Sequence, residues 1–307
     1  MVLLGVDVGG TFTDAVLVAG GEIHAAKTPS TPEDQSLGVL DAVTAVLATA
    51  GIPPGRVDVL AHGMTVATNA LLEGHHARTA LVATEGFTDV VELGRQARAD
   101  LYRLCAGQPA PLAPRERRFG APERVTPAGV LRELTPDGAA RLADDVAAVV
   151  PEAVAVCLLH SYAEPRHERE AGRALREALP GVHVSLSHEV VGTFREFERA
   201  STTEVDAALS PLLARYLEQL AGRAAAAGLP SPSIMQSSGG LTDLEHAAAH
   251  AALLLLIPGP WRHGGPWRAI ALALAGLPPA LARRGSRGRR GRGCRAGSSP
   301  RRRRGGW

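Results

Sequence analysis

At 307 residues and 45 % hydrophobic content, the chain can bury a sizeable core and hold two α/β units, which excludes a peptide, a coiled coil or a disordered tail. Its net charge of +2 hides an asymmetry: Trp261 to Trp307 carries thirteen arginines and no lysine or acid, leaving 20 basic against 31 acidic groups in the 260 residues before it. Such an acidic body offers no basic stripe to nucleic acid, and the three cysteines, Cys105, Cys157 and Cys294, lack the spacing of a zinc or redox pair.

In the opening M-V-L-L-G-V-D, Asp7 falls where a signal peptide needs its apolar region, so a cytoplasmic protein is expected. The longest apolar run, Ala247 to Ile257, contains His250 and is well short of the roughly 20 residues that span a bilayer, so no membrane partner is expected either.

Residues 2–9 and Phe12 to Ala19 are apolar runs flanking Gly9-Gly10 and predict a β-hairpin. Ser36 to Ala50 keeps Leu37, Leu40, Val43 and Leu47 at helical spacing. A strand at Val57 to Ala61, a helix at Thr65 to Glu73, a strand at Thr79 to Ala83 and a helix at Phe87 to Arg98 follow. This alternation predicts a parallel sheet covered by helices. Gln108 to Glu123, with four prolines and three arginines, predicts a loop. Next come a helix over Thr135 to Val150 capped by Thr135, a strand at Ala153 to Leu159, a helix at Pro165 to Leu179, a strand at Val182 to Leu186 and a long amphipathic helix at Thr202 to Ala227. The expected division is 1–107, an amino-terminal hairpin and α/β unit; 108–123, a loop; 124–257, a second α/β unit; and 258–307, a basic tail without apolar period, expected to be disordered.

The chemistry is concentrated in D-V-G-G-T-F-T-D, residues 7–14. Gly9 and Gly10 permit positive φ and leave backbone N–H groups open to an anion, a phosphate nest. Thr11 adds a hydroxyl. Asp7, ending the first strand, suits Mg²⁺, which takes one or two carboxylates and keeps its waters. Asp14 is a further acid or a turn cap. An ordinary Gly-Gly hairpin with incidental acids is the plainer alternative.

Downstream, Thr65, Thr68 and Asn69 in H-G-M-T-V-A-T-N offer polar groups where a strand turns into a helix, the edge at which open α/β sheets bind ligands, with a helix cap at Thr65 as the plainer alternative. Arg195, Glu196, Glu198 and Arg199 in R-E-F-E-R read as a solvated helix start with internal pairs. The pairs His75-His76, His167-Glu168 and His188-Glu189 do not form H-E-x-x-H and are expected at the surface or as caps.

D-V-G-G-T-F-T-D, H-G-M-T-V-A-T-N-A-L-L-E, R-T-A-L-V-A-T-E-G-F-T-D-V-V-E-L-G-R-Q, R-E-F-E-R-A-S-T-T-E-V-D and M-Q-S-S-G-G together resemble the ATP-dependent hydantoinase/oxoprolinase family over about residues 1–256. The resemblance implies an α/β, actin-like or sugar-kinase-like (ribonuclease-H-like) ATPase fold, a mixed sheet flanked by helices. It also implies ATP and Mg²⁺ as cofactors and a cyclic amide such as hydantoin or 5-oxoproline as substrate. On that basis Asp7, Asp14 and Arg195 are catalytic candidates, with Asp7 also the metal ligand, and only the resemblance makes Arg195 and Arg199 candidates for anion contacts. Gly9, Gly10, Thr11, Thr13, Gly239 and Gly240 grip nucleotide, while His62, Thr65, Thr68 and Asn69 line the site. A B-type hydantoinase subunit and a homo- or hetero-oligomer are the implied partners. An acetone-carboxylase-like subunit and a non-catalytic remnant remain alternatives.

The departure from the family pattern comes after residue 256. Relatives continue into a second phosphate motif resembling D-M-G-G-T-S-T-D, and no second D-x-G-G-T follows Asp14 here. The Arg-Gly-Pro-Trp composition that replaces it is what a shifted reading frame of a GC-rich gene produces, so the chain reads as an amino-terminal portion with little activity alone.

Overall fold

The computed structural model describes residues 1–31, 33–96, 102 and 110–255. Its first sheet grows from the expected hairpin. Strand β1 (Val2–Val8) pairs antiparallel with β2 (Phe12–Ala19) from Val2↔Ala19 to Val8↔Thr13. Alternation buries Leu4, Val6 and Val8 on one face with Ala15 and Leu17. A third strand, β3 (Glu22–Pro29), continues the meander antiparallel to β2. Helix α1 (Gln35–Ala50) starts where Asp34 accepts the Ser36 N–H and stops at Gly51, whose φ of +66° suits a residue without a Cβ. Strand β4 (Val59–Met64) then lies parallel to β1, and α2 (Val66–Glu73) leaves its end.

The second sheet starts at β5 (Thr79–Thr84), buried throughout. Helix α3 is only Val90–Leu93, shorter than expected, because Gly94 turns the chain at φ +55°; residues 97 and 98 lie outside the described residues. The expected loop at 108–123 holds a strand, β6 (Arg118–Ala121), parallel to β5 from Leu81↔Arg118 to Thr84↔Ala121. Pro114 and Pro122 bracket it, so proline content masks four paired residues. A small hairpin, β7 (Arg124–Thr126) and β8 (Gly129–Arg132), leads to α4 (Pro136–Ala147), capped as expected by Thr135 accepting the Gly138 N–H. Strand β9 (Ala153–Cys157), α5 (Arg166–Ala178), β10 (His183–Leu186) and the short α6 (Ser187–Val190) complete the unit.

Helix α7 (Glu196–Ala226) begins six residues before Thr202 and runs for 31. Its Leu209, Leu213, Leu217 and Leu220 pack into the first sheet's core, while Ala200 and Ala207 pack under the second. One helix therefore seals both sheets. The chain returns to the first sheet with β11 (Pro232–Met235), parallel to β4, and β12 (Leu241–Thr242), ahead of α8 (Leu244–Ala249). The orders are β12-β11-β4-β1-β2-β3 and β10-β9-β5-β6, the second wholly parallel.

The architecture is thus a mixed α/β fold with helix-flanked sheets, consistent with the actin-like ATPase fold that the resemblance implies. Sheet membership does not follow chain order: β5 belongs with β9, and β11 rejoins β4. The basic segment 258–307 lies outside the described residues, and among the described residues no helix is long and apolar enough to cross a membrane.

Candidate functional site

Residues directly opposed in an antiparallel pair share a face. The registers Asp7↔Asp14 and Asp14↔Lys27 therefore place Asp7, Asp14 and Lys27 in one row across β1, β2 and β3. Lys27 Nζ donates to Asp14 Oδ1 at 2.7 Å and lies 5.1 Å from the centre of the Phe12 ring. On its other side Asp7 faces Gly63 of β4, where a Cβ would stand 3.1 Å from Asp7 Oδ1. Glycine leaves the carboxylate its space. Burial, followed by the charge of Asp14, pushes the Asp7 carboxyl up to about 6 against the opposing pull of Lys27.

Between Val8 and Phe12 the chain turns at the carboxyl end of β1. Neither Gly9 nor Gly10 adopts positive φ, so the expected conformational reason for glycine is corrected. Space is the reason at Gly9, where a Cβ would meet Phe12 O at 3.1 Å. The Gly9 N–H also donates to Phe12 O at 3.0 Å, which withdraws it from the expected nest. Ser30 braces the turn, its Oγ donating to Gly9 O at 2.8 Å and its N–H to Thr11 O at 2.9 Å. The exposed Gly10 and Thr11 keep backbone N–H groups without an acceptor among the described residues.

Beside this turn, Thr65 donates from both N and Oγ1 to Val8 O, at 3.2 and 3.1 Å, tying α2 to β1 rather than capping the helix. Asn69 donates Nδ2 to Thr65 Oγ1 at 3.5 Å, and the same nitrogen would stand 3.7 Å from a Cβ on Gly10. Thr68 shares the helical face of Thr65, and its Oγ1 is buried without a partner among the described residues. Gly239 and Gly240, at φ +87° and +106°, turn β11 into β12. Since β11, β4 and β1 are parallel neighbours, that turn lies at the same sheet edge as Gly10, three strand spacings or about 14 Å away.

Three expected site residues are not brought there. Thr13 is fully buried and sits 3.1 Å from Ser30 Oγ, under the start of α1. His62 shares the apolar face of Leu60 and Met64, 1 % exposed, with Nε2 at 2.9 Å from Tyr216 OH; burial lowers its pKa to about 4. Arg195 is exposed at the start of α7, and the 21 residues to Tyr216 put it about 30 Å along the helix.

Arg199 is buried, and its guanidinium donates to Leu158 O, Thr193 O and Ser187 Oγ at 2.6, 2.7 and 3.0 Å. It is spoken for by the protein, which corrects its reading as an anion contact. Glu168, also buried, accepts from Leu158 N, Ser187 Oγ, His188 N and His188 Nδ1. His167 lies between Glu123 and Glu133, 2.9 Å from each. Neither His167 nor Glu168 is at the surface, contrary to expectation. The helical spacing of α5, which sends both inward with Ala171 and Leu175, carried the signal.

The residues at the first sheet's edge fit a magnesium-bound nucleoside triphosphate: free N–H groups at Gly10 and Thr11, an orphaned hydroxyl at Thr68, and Asp7 cradled by Gly63. Among the described residues no group of three or more metal-ligating side chains exists. One carboxylate plus waters and phosphate oxygens is the environment Mg²⁺ takes in such sites.

The chain is similar to known proteins over most of its length. The family model for the hydantoinase/oxoprolinase N-terminal region matches residues 3–179, and the hydantoinase/oxoprolinase model matches 199–261. Caprolactamase subunit alpha of Pseudomonas jessenii is 36 % identical over 249 residues, 78 % of this chain and 36 % of the relative. Acetophenone carboxylase gamma subunit of Aromatoleum aromaticum is 34 % identical over 261 residues, 78 % and 35 % of the two chains. 5-oxoprolinase 1 of Arabidopsis thaliana is 32 % identical over 282 residues, 81 % and 22 %. The crystal structure of the ATP-dependent caprolactamase from Pseudomonas jessenii superposes with a TM-score of 0.72 at 31 % identity, covering 81 % of this chain and 38 % of that one. A nucleotide-free acetone carboxylase structure gives 0.74 at 24 % identity over 83 % and 38 %, a likeness of fold. The chain spans between about a fifth and two fifths of the length of these proteins.

Proposed function

Because the chain belongs to the hydantoinase/oxoprolinase family, we propose that it supplies one phosphate-gripping half of an ATP-dependent enzyme that opens a cyclic amide such as hydantoin or 5-oxoproline. The observation that carries this reading is the placement of Asp7 beside the open Gly10–Thr11 turn, with Asn69 against Gly10. Gly10 and Thr11 donate backbone N–H groups to phosphate oxygens, each such bond to a charged oxygen being worth about 1.5–3 kcal/mol. Asp7 holds Mg²⁺, and Asp14 stands behind it as a further acid. Gly239 and Gly240 approach the same ligand from farther along the same sheet edge. When bound, ATP supplies the phosphoryl group that converts an unreactive amide carbonyl into one that water can open. The protein's task is placement and charge stabilisation.

Relatives described as subunits support assembly with a second, B-type polypeptide in a homo- or hetero-oligomer. The acetone-carboxylase-like reading is the second one, favoured by the fold likeness to acetone carboxylase and by the acetophenone carboxylase subunit. Phosphate release from ATP by the chain assembled with a B-type subunit, measured without substrate and with hydantoins, 5-oxoproline, or acetone plus bicarbonate, separates the two. The chain by itself is expected to turn over little; robust activity would refute the view that it needs an opposite phosphate motif.

A further inference from the structure

The row Asp7–Asp14–Lys27 contains the only lysine in the chain. Two carboxylates on one face beside an anion-binding turn would repel a polyphosphate, so the site needs positive charge from the protein as well as from a metal. Lys27 is the cation in position to supply it. Its charge pulls the Asp7 carboxyl down, and its side chain is 55 % exposed. One of its three N–H groups is engaged by Asp14. Packing over Phe12, the residue that follows Thr11, directs the stem toward the turn, and Phe12 is itself 46 % exposed.

We propose that Lys27 is a phosphate-contacting residue: with Asp14 holding its ammonium in place, it donates its free N–H groups to the terminal phosphate of the nucleotide gripped by Gly10 and Thr11. This rests on the nucleotide reading above. A lysine ammonium suits the role, being a compact point charge with rotatable donors on a flexible stem. Contact with the terminal phosphate makes Lys27 a discriminator of triphosphate from diphosphate, a property neither the turn nor Asp7 supplies by itself. The Asp14 pair is a preorganising contact. A half-exposed ion pair of this kind contributes little to stability.

Calorimetric titration of the full chain with Mg·ATP and Mg·ADP tests this in wild type, Lys27→Met, Lys27→Gln, Lys27→Arg, Asp14→Asn and the Lys27→Met/Asp14→Asn double variant, with thermal melts confirming folding. Neutralising Lys27 is expected to weaken ATP binding about 10-fold or more, the loss of one charge-assisted hydrogen bond, and ADP binding by less. Lys27→Arg should retain affinity within a few-fold. Lys27→Met should still weaken ATP in the Asp14→Asn background. Unchanged ATP affinity in the neutral variants overturns the proposal. So does a loss confined to chains with Asp14, which would show Lys27 acting only through that carboxylate. In both cases wild-type binding leaves the nucleotide reading standing. Absence of ATP binding by wild type overturns that reading and this inference with it.

Discussion

Asp7 and Asp14 face each other across β1 and β2, and Asp14 pairs with Lys27, so Asp7 is a half-buried carboxyl kept short of compensation. Its elevated pKa, about 6, is a stability statement. Between about pH 4 and pH 6 the folded state holds a proton that the unfolded chain has released, so stability falls as pH rises through that window. Above it the penalty is complete. Asp7→Asn removes the penalty and should melt at higher temperature than wild type at pH 8, by about 1–3 kcal/mol, with the advantage fading toward pH 4. Urea titrations across that range measure it, and a variant less stable than wild type at pH 8 would contradict the assignment.

Gly63→Ala tests the cradle. The new Cβ would crowd Asp7 Oδ1 at 3.1 Å, and a carboxylate can rotate away at a cost to folding of about 1 kcal/mol. Mg²⁺-dependent ATP affinity should fall nonetheless, because the displaced carboxylate no longer meets the ion. Unaltered affinity would mean that Asp7 is not the ligand.

His167 offers a pH test outside the site. Burial works against its charged form, but hydrogen bonds to Glu133 and Glu123 outweigh it and raise the pKa. A raised histidine pKa gives stability that is full below the unfolded value near 6.5 and is lost as pH rises through the folded one. His167→Gln should therefore cost most at pH 6 and progressively less toward pH 9. A pH-independent difference would show that the ring is neutral.

Arg199→Met leaves Leu158 O, Thr193 O and Ser187 Oγ without their buried donor. The expected cost is about 3 kcal/mol or more, read from chemical denaturation. Arg199→Lys should recover only part, because an ammonium cannot reproduce the three-way fork. A near-neutral Arg199→Met would return this residue to the surface role that its charged neighbours suggest.

Much of the first sheet was readable because its signals are local: apolar runs bounding Gly9-Gly10 and the period of α1; in the second sheet the buried run Ala80 to Ala83 of β5 was equally plain. Strand β3 was not, since E-I-H-A-A-K-T-P is half exposed and acquires its identity only by pairing with β2. The four-residue strands β6 and β11 are too short for any period and are defined by partners far along the chain. At the site, Gly9 to Thr11 announced itself by composition. Lys27 did not, because its link to Asp14 exists only through register. Thr13 and His62 were legible and misplaced: strict alternation in β2 puts Thr13 on the other face of the sheet from Asp14, and in β4 it puts His62 with Leu60 and Met64. Family likeness assigned both to the ligand where strand geometry sends them to the core.

The central claim, that this chain grips a nucleotide phosphate between the Gly10–Thr11 turn and Asp7, is tested most directly by amide NMR of the labelled full chain titrated with Mg·ATP. Saturable shifts at the Gly10 and Thr11 amides, dependent on Mg²⁺ and abolished in Asp7→Asn, are predicted. Amides that stay put at saturating ATP, or that move equally in the Asp7→Asn variant, would contradict it.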